Sequence, residues 1–243
     1  MSESAEQRGV GMWVQDDALQ ARAAVHAALG EPARLAIVEE LATSDRSPKE
    51  LADRLALPSN LLAHHLDVLE QVGLISRSMS AGDGRRKYVR LTRGTSVGFE
   101  PSGRPPRGEM LFLCTHNSAR SQLAAAMWTA RTGQRASSAG TRPAARVHRG
   151  AVAAARRAGL SLADATPTSI DAIPKSAQVV TVCDLVHEEL QPGLDWWHWS
   201  LPDPVESGSR AAFDAVVAEL DARISSAART SNVSDGQQQE QQR

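Results

Sequence analysis

The sequence predicts a two-domain protein: an α+β unit of short helices and a β-hairpin, followed by an α/β unit with a parallel sheet. The length of 243 residues is sufficient for two modest domains. A stretch rich in Gly, Pro and Ser, which we assign as a linker over residues 96–108, divides the chain. Apolar residues recur at helical spacing before this linker, whereas short, wholly apolar runs typical of buried strands follow it.

Composition limits the range of possible functions. A net charge of −1 gives no general attraction to nucleic acid or to a membrane, so any contact with DNA must come from a local basic patch. No apolar run is long enough to span a bilayer, the first seven residues are polar and acidic, and residues 1–16 are expected to be disordered. We therefore expect a cytoplasmic protein. The two cysteines, Cys114 and Cys183, suit a reducing compartment and reactive chemistry better than a structural disulfide framework.

The first domain begins with four predicted helices. Apolar spacing and end signals predict helices at residues 17–29, 34–41, 48–55 and 60–72. Ser47 and Glu50 form a capping-box pattern with Pro48 at the first helical position. Ser59 is the predicted cap of the fourth helix, and Gly73 is its predicted stop. The last two helices are joined by a tight turn, which makes them a helix-turn-helix unit.

A β-hairpin follows the fourth helix. Residues 74–79 and 87–91 alternate as strands do, and residues 81–84, which contain two glycines, lie between them. The hairpin carries a compact basic patch suited to phosphate groups, composed of Arg85, Arg86, Lys87 and Arg90. The hairpin is therefore a predicted wing that contacts DNA.

The first domain resembles the winged-helix repressors of the ArsR type through residues 28–35 and 63–69, and the resemblance covers residues 17–95. It implies a homodimer that reads a two-fold DNA operator with one recognition helix in each major groove. It places five residues against the groove: Ser59, Asn60, Leu61, Ala63 and His64. The alternative is a protein-binding module whose basic hairpin is simply solvated.

Metal binding is not expected in this domain. Metal-sensing members of the ArsR family often carry cysteine pairs in or near the third helix, but residues 40–54 contain no cysteine. His64 and His65 are adjacent, so on a helix their side chains diverge by about 100° and make poor joint ligands. We predict neither a metal site nor a bound cofactor.

The second domain is organised around the stretch that follows its first predicted strand. An apolar run over residues 110–113 ends at Cys114, and Arg120 and Ser121 precede a helical stretch at residues 123–130. A strand, a tight loop and a helix start together form an anion cradle of free N–H groups and helix dipole. Such surroundings favour the thiolate form of a cysteine. Arg120 adds a planar guanidinium that can grip a tetrahedral oxyanion at two points.

The pattern Cys114-x5-Arg120-Ser121 resembles the low-molecular-weight protein tyrosine phosphatases and, more strongly, the related thiol-linked arsenate reductases. The resemblance implies an α/β domain over residues 109–226 with a parallel four-stranded sheet. It also implies that the loop binds an oxyanion through Thr115, His116, Asn117, Ser118, Ala119 and Arg120. Two of these residues depart from the family's loop. His116 replaces a glycine, which we expect to tighten the backbone, and Ala119 replaces a cysteine that is not the nucleophile. The alternative for Cys114 is a buried core thiol.

Later segments carry further matches. The Ser-Ala-Gly at residues 138–140 ends a predicted strand, as in the family, and a helix is expected over residues 146–158. Residues 177–182 form a second buried strand that is followed by Cys183. Because the carboxyl ends of neighbouring parallel strands meet at the ligand crevice, Cys183 is a candidate neighbour of Cys114. A strand-end core thiol is the alternative for Cys183.

Asp203-Pro204 matches the Asp-Pro loop of the family, whose aspartate is the general acid. An ordinary Asp-Pro turn is the alternative. The phosphatases of this family usually carry aromatic residues directly after this pair, but here Val205 follows, and the single tyrosine, Tyr88, lies in the wing. This departure favours arsenate over phosphotyrosine as the substrate. Two segments complete the expected chain, a helix at residues 211–224 and a disordered Gln-rich tail at residues 227–243.

The resemblance implies a mechanism in which the Cys114 thiolate attacks arsenic within the loop. Ser121 donates to the sulfur and keeps it ionised, and Asn117 braces the loop backbone. Asp203 protonates the departing oxygen. A second thiol then attacks Cys114 and releases arsenite.

The source of the second thiol is open. In the thioredoxin-linked reductases a further cysteine pair serves here, and Cys183 matches its first member, but the second, expected near Leu190, is absent. Either Cys183 forms a disulfide with Cys114, or an external electron donor resolves the adduct, such as a low-molecular-weight thiol or a thioredoxin-like protein.

Three hypotheses follow for the whole chain. The favoured one is a DNA-binding regulator fused to an arsenate reductase. The second is a low-molecular-weight phosphatase fused to a DNA-binding domain, and the third is a catalytically silent repressor that senses an oxyanion.

Overall fold

The computed structural model describes residues 16–92 and 105–240, with side chains described up to residue 229. The expected tail at residues 1–15, residues 96–104 of the expected linker and residues 241–243 lie outside these ranges. Within them, no helix combines the length and the apolar character needed to cross a bilayer.

The first part of the chain has four helices and a two-stranded antiparallel sheet. The helices are α1 (Asp17–Leu29), α2 (Pro32–Leu41), α3 (Pro48–Leu55) and α4 (Ser59–Gln71), and the strands are β1 (Ile75–Met79) and β2 (Lys87–Leu91). The predicted capping box is present, because Ser47 Oγ accepts from Glu50 N–H at 3.3 Å and Glu50 Oε2 accepts from Ser47 N–H at 2.7 Å. Helix α4 differs from the prediction at its start. Pro58 is its N-cap residue and Ser59 is its first residue, so Ser59 does not cap it.

The core of this part is apolar and lies between the helices and the hairpin. On α4, Leu62, Leu66 and Leu69 are buried there with Leu51 and Val89. They pack as the helical spacing predicts, one turn apart on the same face.

The second part is a four-stranded parallel sheet flanked by helices. The strands run in the order β4 (Ala136–Gly140), β3 (Met110–Cys114), β5 (Gln178–Thr181) and β6 (Trp197–His198). The helices are α5 (Arg120–Thr132), α6 (Arg149–Arg157), α7 (Asp184–Leu190), α8 (Pro204–Ser207) and α9 (Arg210–Glu240). All five residues of β3 are buried, as expected for an inner strand covered on both faces. The predicted fold class is confirmed.

Two helices differ from their predicted bounds. Helix α6 begins at Arg149 rather than Arg146, because His148 caps it by accepting from Gly150 N–H at 3.1 Å. Helix α9 continues to Glu240, so the tail expected to be disordered from residue 227 is helical in the structure up to that residue. The polar composition predicted disorder there, but the segment contains no proline and a single glycine, Gly236, to interrupt a helix.

The two parts of the chain pack against each other through polar groups. Residues 43–47 are buried, and Asp45 N–H donates to His198 O at 2.7 Å. On its other side this segment forms an antiparallel bridge between Arg46 and Val89. The segment therefore connects the hairpin to the edge of the parallel sheet through hydrogen bonds.

The wing also lies against the second part of the chain. In its turn, Ala81 N–H donates to Asp184 Oδ2 at 2.8 Å, and Asp83 N–H donates to Glu188 Oε2 at 2.6 Å. Ser80 Oγ adds a bond of 2.7 Å to Glu188 Oε1. The acidic face of α7 thus holds the wing turn in place.

Candidate active site

The loop between β3 and α5, residues 114–120, is the candidate oxyanion loop. Its carbonyl groups at Thr115, His116 and Ser118 each accept a backbone hydrogen bond of 2.8–2.9 Å from the segment 142–148. The carbonyls are thus engaged on the outside of the loop, and the Asn117 N–H points inward to Cys114 Sγ. Such a loop beside a helix N-terminus is a candidate anion-binding nest.

Gly140 allows the loop to approach β4 closely. A Cβ atom at this position would lie 2.6 Å from Thr115 O and 3.0 Å from Asn117 N. The glycine that the sequence analysis matched to the family's Ser-Ala-Gly therefore has a steric role, since any side chain would push the loop away from the sheet.

Asn117 braces the loop from within. Its backbone has φ of 46°, in the left-handed region that asparagine tolerates better than most residues. Its side-chain amide donates to Ser121 Oγ at 2.8 Å and to Ser138 Oγ at 2.9 Å. Its carbonyl oxygen accepts from Gln122 Nε2 at 3.0 Å and from Thr168 N–H at 2.8 Å. The residue is fully buried, and all of these bonds fix the loop's shape.

Two of these partners are not identified by any pattern in the sequence. Gln122 and Thr168 have no motif around them, and Thr168 lies 51 positions from Asn117 in the chain. Ser138 could be identified from the sequence, because it begins the Ser-Ala-Gly that matches the family. Its hydroxyl bond to Asn117 supplies the physical reason for that match.

Cys114 lies at the bottom of this loop with donors aimed at its sulfur. Sγ accepts from Asn117 N–H at 3.2 Å and lies 3.0 Å from Ser121 Oγ. Because Ser121 Oγ already accepts from the Asn117 amide, its own proton is available for the sulfur. Cys114 thus has polar contacts that an inert core thiol would lack.

Arg120 and Asp203 meet at the edge of the loop. Arg120 donates from Nη1 to Leu201 O at 2.9 Å and from Nη2 to Asp203 Oδ2 at 2.6 Å. Asp203 also caps α8, since its Oδ1 accepts from Val205 N–H at 3.0 Å. Asp203 is therefore both the cap of an Asp-Pro turn and the candidate acid. The Asp203 side chain is about one-fifth exposed (22%), so an incoming oxyanion can reach it.

Cys183 is brought to the same loop. It follows β5 as the N-cap residue of α7, and its Sγ lies 3.6 Å from Thr115 Oγ1. Burial raises the pKa of the Cys183 thiol; Arg120 opposes this shift, and the charge of Cys114 reinforces it. A second, protonated thiol thus lies within electrostatic reach of the candidate nucleophile.

A cavity of about 620 Å³ opens beside the loop. Its lining consists of His116, Ser118, residues 144–149 and Val205. Among the described residues that line it there is no phenyl, phenol or indole ring. The tryptophan Trp199 packs instead in the core against Phe112. The aromatic rings that line the cavity are the imidazoles of His116 and His148.

Comparison with known proteins identifies the family. A family model described as "Low molecular weight phosphotyrosine protein phosphatase" matches residues 109–237, which is just over half of the chain. The chain belongs to this family. A second model, described as "Helix-turn-helix domain", matches residues 29–77. The protein therefore joins a helix-turn-helix domain to a phosphatase-family domain, as the sequence analysis predicted.

Individual relatives cover one part of the chain or the other. The HTH-type transcriptional repressor SmtB of Mycobacterium tuberculosis is 39% identical over 64 residues, which span 26% of this chain and 45% of the repressor. The tyrosine phosphatase AmsI of Erwinia amylovora is 21% identical, with a TM-score of 0.44, over 50% of this chain and 91% of that one. An arsenate reductase of Archaeoglobus fulgidus is 28% identical, with a TM-score of 0.40, over 47% and 94%.

The helix-turn-helix domain exposes the residues predicted to face DNA. On α4 the side chains of Ser59, Asn60, Leu61, Ala63 and His64 are all exposed. His65, by contrast, is buried and lies 3.6 Å from Glu31, so the two adjacent histidines point apart as expected.

The basic patch of the wing is only partly as predicted. Arg85 is almost fully exposed (98%), and Lys87 is exposed as well. Arg86 lies 3.8 Å from Glu188 of the phosphatase-family domain, and Arg90 donates to Ser200 O at 2.8 Å. These two arginines are only partly exposed and contact a carboxylate and a carbonyl group of the neighbouring domain.

Proposed function

We propose that the protein is a DNA-binding transcriptional regulator whose phosphatase-family domain reduces arsenate to arsenite. The observation that carries this proposal is the second thiol: Cys183 lies against the loop that holds Cys114. Hydrolysis of a phosphate ester needs one cysteine, whereas reduction of an oxyanion needs a second thiol to take up the oxidising equivalents. The cavity beside the loop has no phenyl, phenol or indole ring in its lining, which agrees with a small inorganic substrate.

The first step joins Cys114 to arsenic. The thiolate attacks arsenate, whose oxygens are held by the loop N–H groups and by Arg120. As the sulfur–arsenic bond forms, one arsenic–oxygen bond breaks, and Asp203 supplies the proton that lets this oxygen leave as water. Arsenic is still pentavalent in the resulting adduct.

The second step transfers electrons. A thiol attacks Cys114 Sγ, a disulfide forms, and the electron pair of the sulfur–arsenic bond stays on arsenic, which leaves as trivalent arsenite. Cys183 is the nearest candidate for this thiol, and its proton passes to the departing arsenite. An external thiol or a thioredoxin-like protein then reduces the disulfide and restores both cysteines.

Phosphatase activity is the second candidate. The geometry of Cys114, Arg120 and Asp203 would serve the hydrolysis of a phosphate monoester equally well, because both reactions begin with attack on a tetrahedral oxyanion. The family to which the chain belongs is described by that activity.

The regulatory half of the proposal rests on the exposed face of α4. Its polar residues and His64 would enter a major groove, while Arg85 and Lys87 at the wing would contact phosphates. We propose a homodimer through the helix-turn-helix domain, since a two-fold operator requires two recognition helices.

Arsenite production tests the enzymatic half directly. The wild-type protein, Cys114→Ser and Cys183→Ser are each supplied with arsenate and, in turn, with a small thiol or with thioredoxin and its reductase. We expect turnover from the wild type, none from Cys114→Ser, and at least a tenfold loss from Cys183→Ser, roughly the effect of losing one positioned catalytic group.

The other hypotheses have distinct outcomes. No arsenite above the Cys114→Ser background contradicts reduction, and rapid release of 4-nitrophenol from 4-nitrophenyl phosphate would then establish the phosphatase. Operator DNA that is released by arsenate or arsenite, without turnover of either substrate, would leave the silent oxyanion-sensing repressor.

A further inference from the structure

The loop that carries the candidate acid is held from two sides. We define the acid loop as residues 199–203. On its inner side Arg120 of the phosphatase-family domain binds Leu201 O and Asp203. On its outer side the loop contacts residues of the helix-turn-helix domain; two of these contacts are buried and the third is partly buried.

Asp45 binds the acid loop from the segment between α2 and α3. Ser200 N–H donates to Asp45 Oδ2 at 2.8 Å. The same carboxylate accepts from both Nη atoms of Arg223 on α9, at 3.0 and 2.9 Å. Burial acts to raise the pKa of Asp45, but Arg223 overrides it and holds this pKa below its usual range. The carboxylate is therefore charged, and the bidentate pair fixes its orientation.

Arg90 and Thr43 complete the attachment. Arg90 Nη2 donates to Ser200 O at 2.8 Å, so the N–H and the C=O of Ser200 are both bound by the neighbouring domain. The indole N–H of Trp199 donates to Thr43 O at 2.8 Å. The peptide groups on either side of Ser200 cannot rotate without breaking one of these bonds.

We propose that Asp45 and Arg90 are positioning residues for Asp203, so that the helix-turn-helix domain supplies part of the catalytic apparatus of the phosphatase-family domain. The inference rests on the proposed function in one respect, the role of Asp203 as proton donor. Asp203 lies three positions after Ser200, and a displacement of about 1 Å at a reacting group can cost roughly 10²-fold in rate. Neither residue touches the oxyanion loop, so their effect passes through the acid loop.

Arg90→Met is the test variant, because it removes the bond to Ser200 O without leaving a buried carboxylate unpaired. Arg77→Met is its matched control, since Arg77 lies on the neighbouring strand β1 and pairs with the exposed Asp67 at 2.7 Å. Asp45→Asn is a second variant, which weakens the bond to Ser200 N–H from the other side.

Two readouts separate positioning from general damage. The first is kcat/KM for phenyl phosphate and for 4-nitrophenyl phosphate, because the more basic phenolate depends more on proton donation. We expect Arg90→Met to lose about tenfold with phenyl phosphate and about threefold with 4-nitrophenyl phosphate, the direction of Asp203→Asn but smaller. The second is backbone hydrogen exchange over residues 199–203, which we expect to become about tenfold faster. Arg90→Lys keeps a donor and is expected to recover part of both losses.

The outcomes are decisive in both directions. Unchanged exchange over the acid loop in Arg90→Met and Asp45→Asn overturns the inference, whatever the activity. Faster exchange with equal losses for both esters also overturns it, because the acid would then be correctly placed. If the wild type neither hydrolyses these esters nor reduces arsenate, the proposed function fails, and the exchange of the acid loop alone decides whether the neighbouring domain holds it.

Discussion

The oxyanion loop and the domain interface are both buried and polar, but different groups stabilise them. In the loop the side-chain bonds of Asn117 go to neutral hydroxyl, amide and backbone partners. Across the interface the main bonds involve ionisable groups, which include the pairs Asp45–Arg223 and Glu50–His187. Neutral hydrogen bonds contribute about 1 kcal/mol each and do not titrate, whereas a buried charge depends on its partner and on pH.

This difference separates two requirements of the molecule. The loop must keep one shape so that its N–H groups stay aimed at an oxyanion, and neutral bonds maintain that shape over a wide pH range. The interface must hold the acid loop and the wing turn, and its charged pairs make that attachment sensitive to pH. We expect substitutions in the interface to cause larger losses of unfolding free energy, which depend on pH. Substitutions in the loop should cause smaller losses that are constant with pH.

Arg223→Met should have the largest effect. It leaves Asp45 buried and charged without its bidentate partner, and breaking such a pair costs about 3–5 kcal/mol of unfolding free energy. Arg157→Met is the control, since Arg157 pairs with Asp214 at the surface, where such pairs contribute less than about 1 kcal/mol. Urea unfolding at pH 7 measures both variants, and equal losses would contradict the contrast between buried and exposed pairs.

The pair Glu50–His187 should make the interface weaken in acid. Burial acts to raise the pKa of Glu50, but hydrogen bonds from His187 and Ser47 bring it down from 4.5 to about 2. A carboxyl whose pKa is lowered by folding adds stability above about pH 4.5 and loses it as the pH falls toward 2. Burial lowers the pKa of His187 despite the opposing effect of Glu50, so its protonation also disfavours the folded state below about pH 6.5.

Glu50→Gln tests this pH dependence. The wild type should exceed the variant in unfolding free energy by up to about 3 kcal/mol at pH 7, because folding lowers the pKa of Glu50 from 4.5 to about 2. The difference should shrink below pH 4.5 and vanish near pH 2. Asp67→Asn, in an exposed pair with Arg77, should show no comparable trend. A constant difference from pH 7 to pH 3 would show that Glu50 contributes by packing rather than by charge.

Gly140→Ala should perturb the loop by an intermediate amount that does not change with pH. The added methyl group would lie 2.6 Å from Thr115 O, and overpacking of this kind costs about 1–3 kcal/mol. Gly84→Ala in the wing is the control, because no described heavy atom lies within 4 Å of the position that its added methyl group would occupy. Thermal unfolding and oxyanion affinity measure the effect. Equal unfolding temperatures and affinities for the two variants would show that the loop can shift to accommodate the methyl group.

The contrast between the two regions also explains what the sequence could predict. The strand before Cys114, the capping box at Ser47 and the stop at Gly73 are set by neighbours within a few positions, and the structure has them as predicted. The residues of the loop were recognisable for the same reason, since Cys114 and Arg120 are six positions apart.

No local sequence pattern indicated the contacts of the domain interface. Asp45 and Arg223 are 178 positions apart, and neither belongs to a motif. Arg86 and Arg90 belonged to a plausible basic patch, and only the structure reveals their partners in the second domain, Glu188 and Ser200. Because charged residues are usually exposed, exposure is what the sequence alone predicts for such a residue. A partner that is distant in the chain can reverse this prediction.

Ser138→Ala should have the smallest effect and gives the most specific test of the loop. It removes one acceptor from the Asn117 amide, which still donates to Ser121 Oγ, so we expect a loss of about 1 kcal/mol. Ser137→Ala is the neighbouring control, because that side chain is exposed, and it should change stability by less than about 0.5 kcal/mol. The loss should be the same at pH 7 and pH 5, since the hydroxyl and amide groups bonded to the Asn117 side chain do not titrate. A loss that grows as the pH falls would contradict the assignment of the pH dependence to the interface alone.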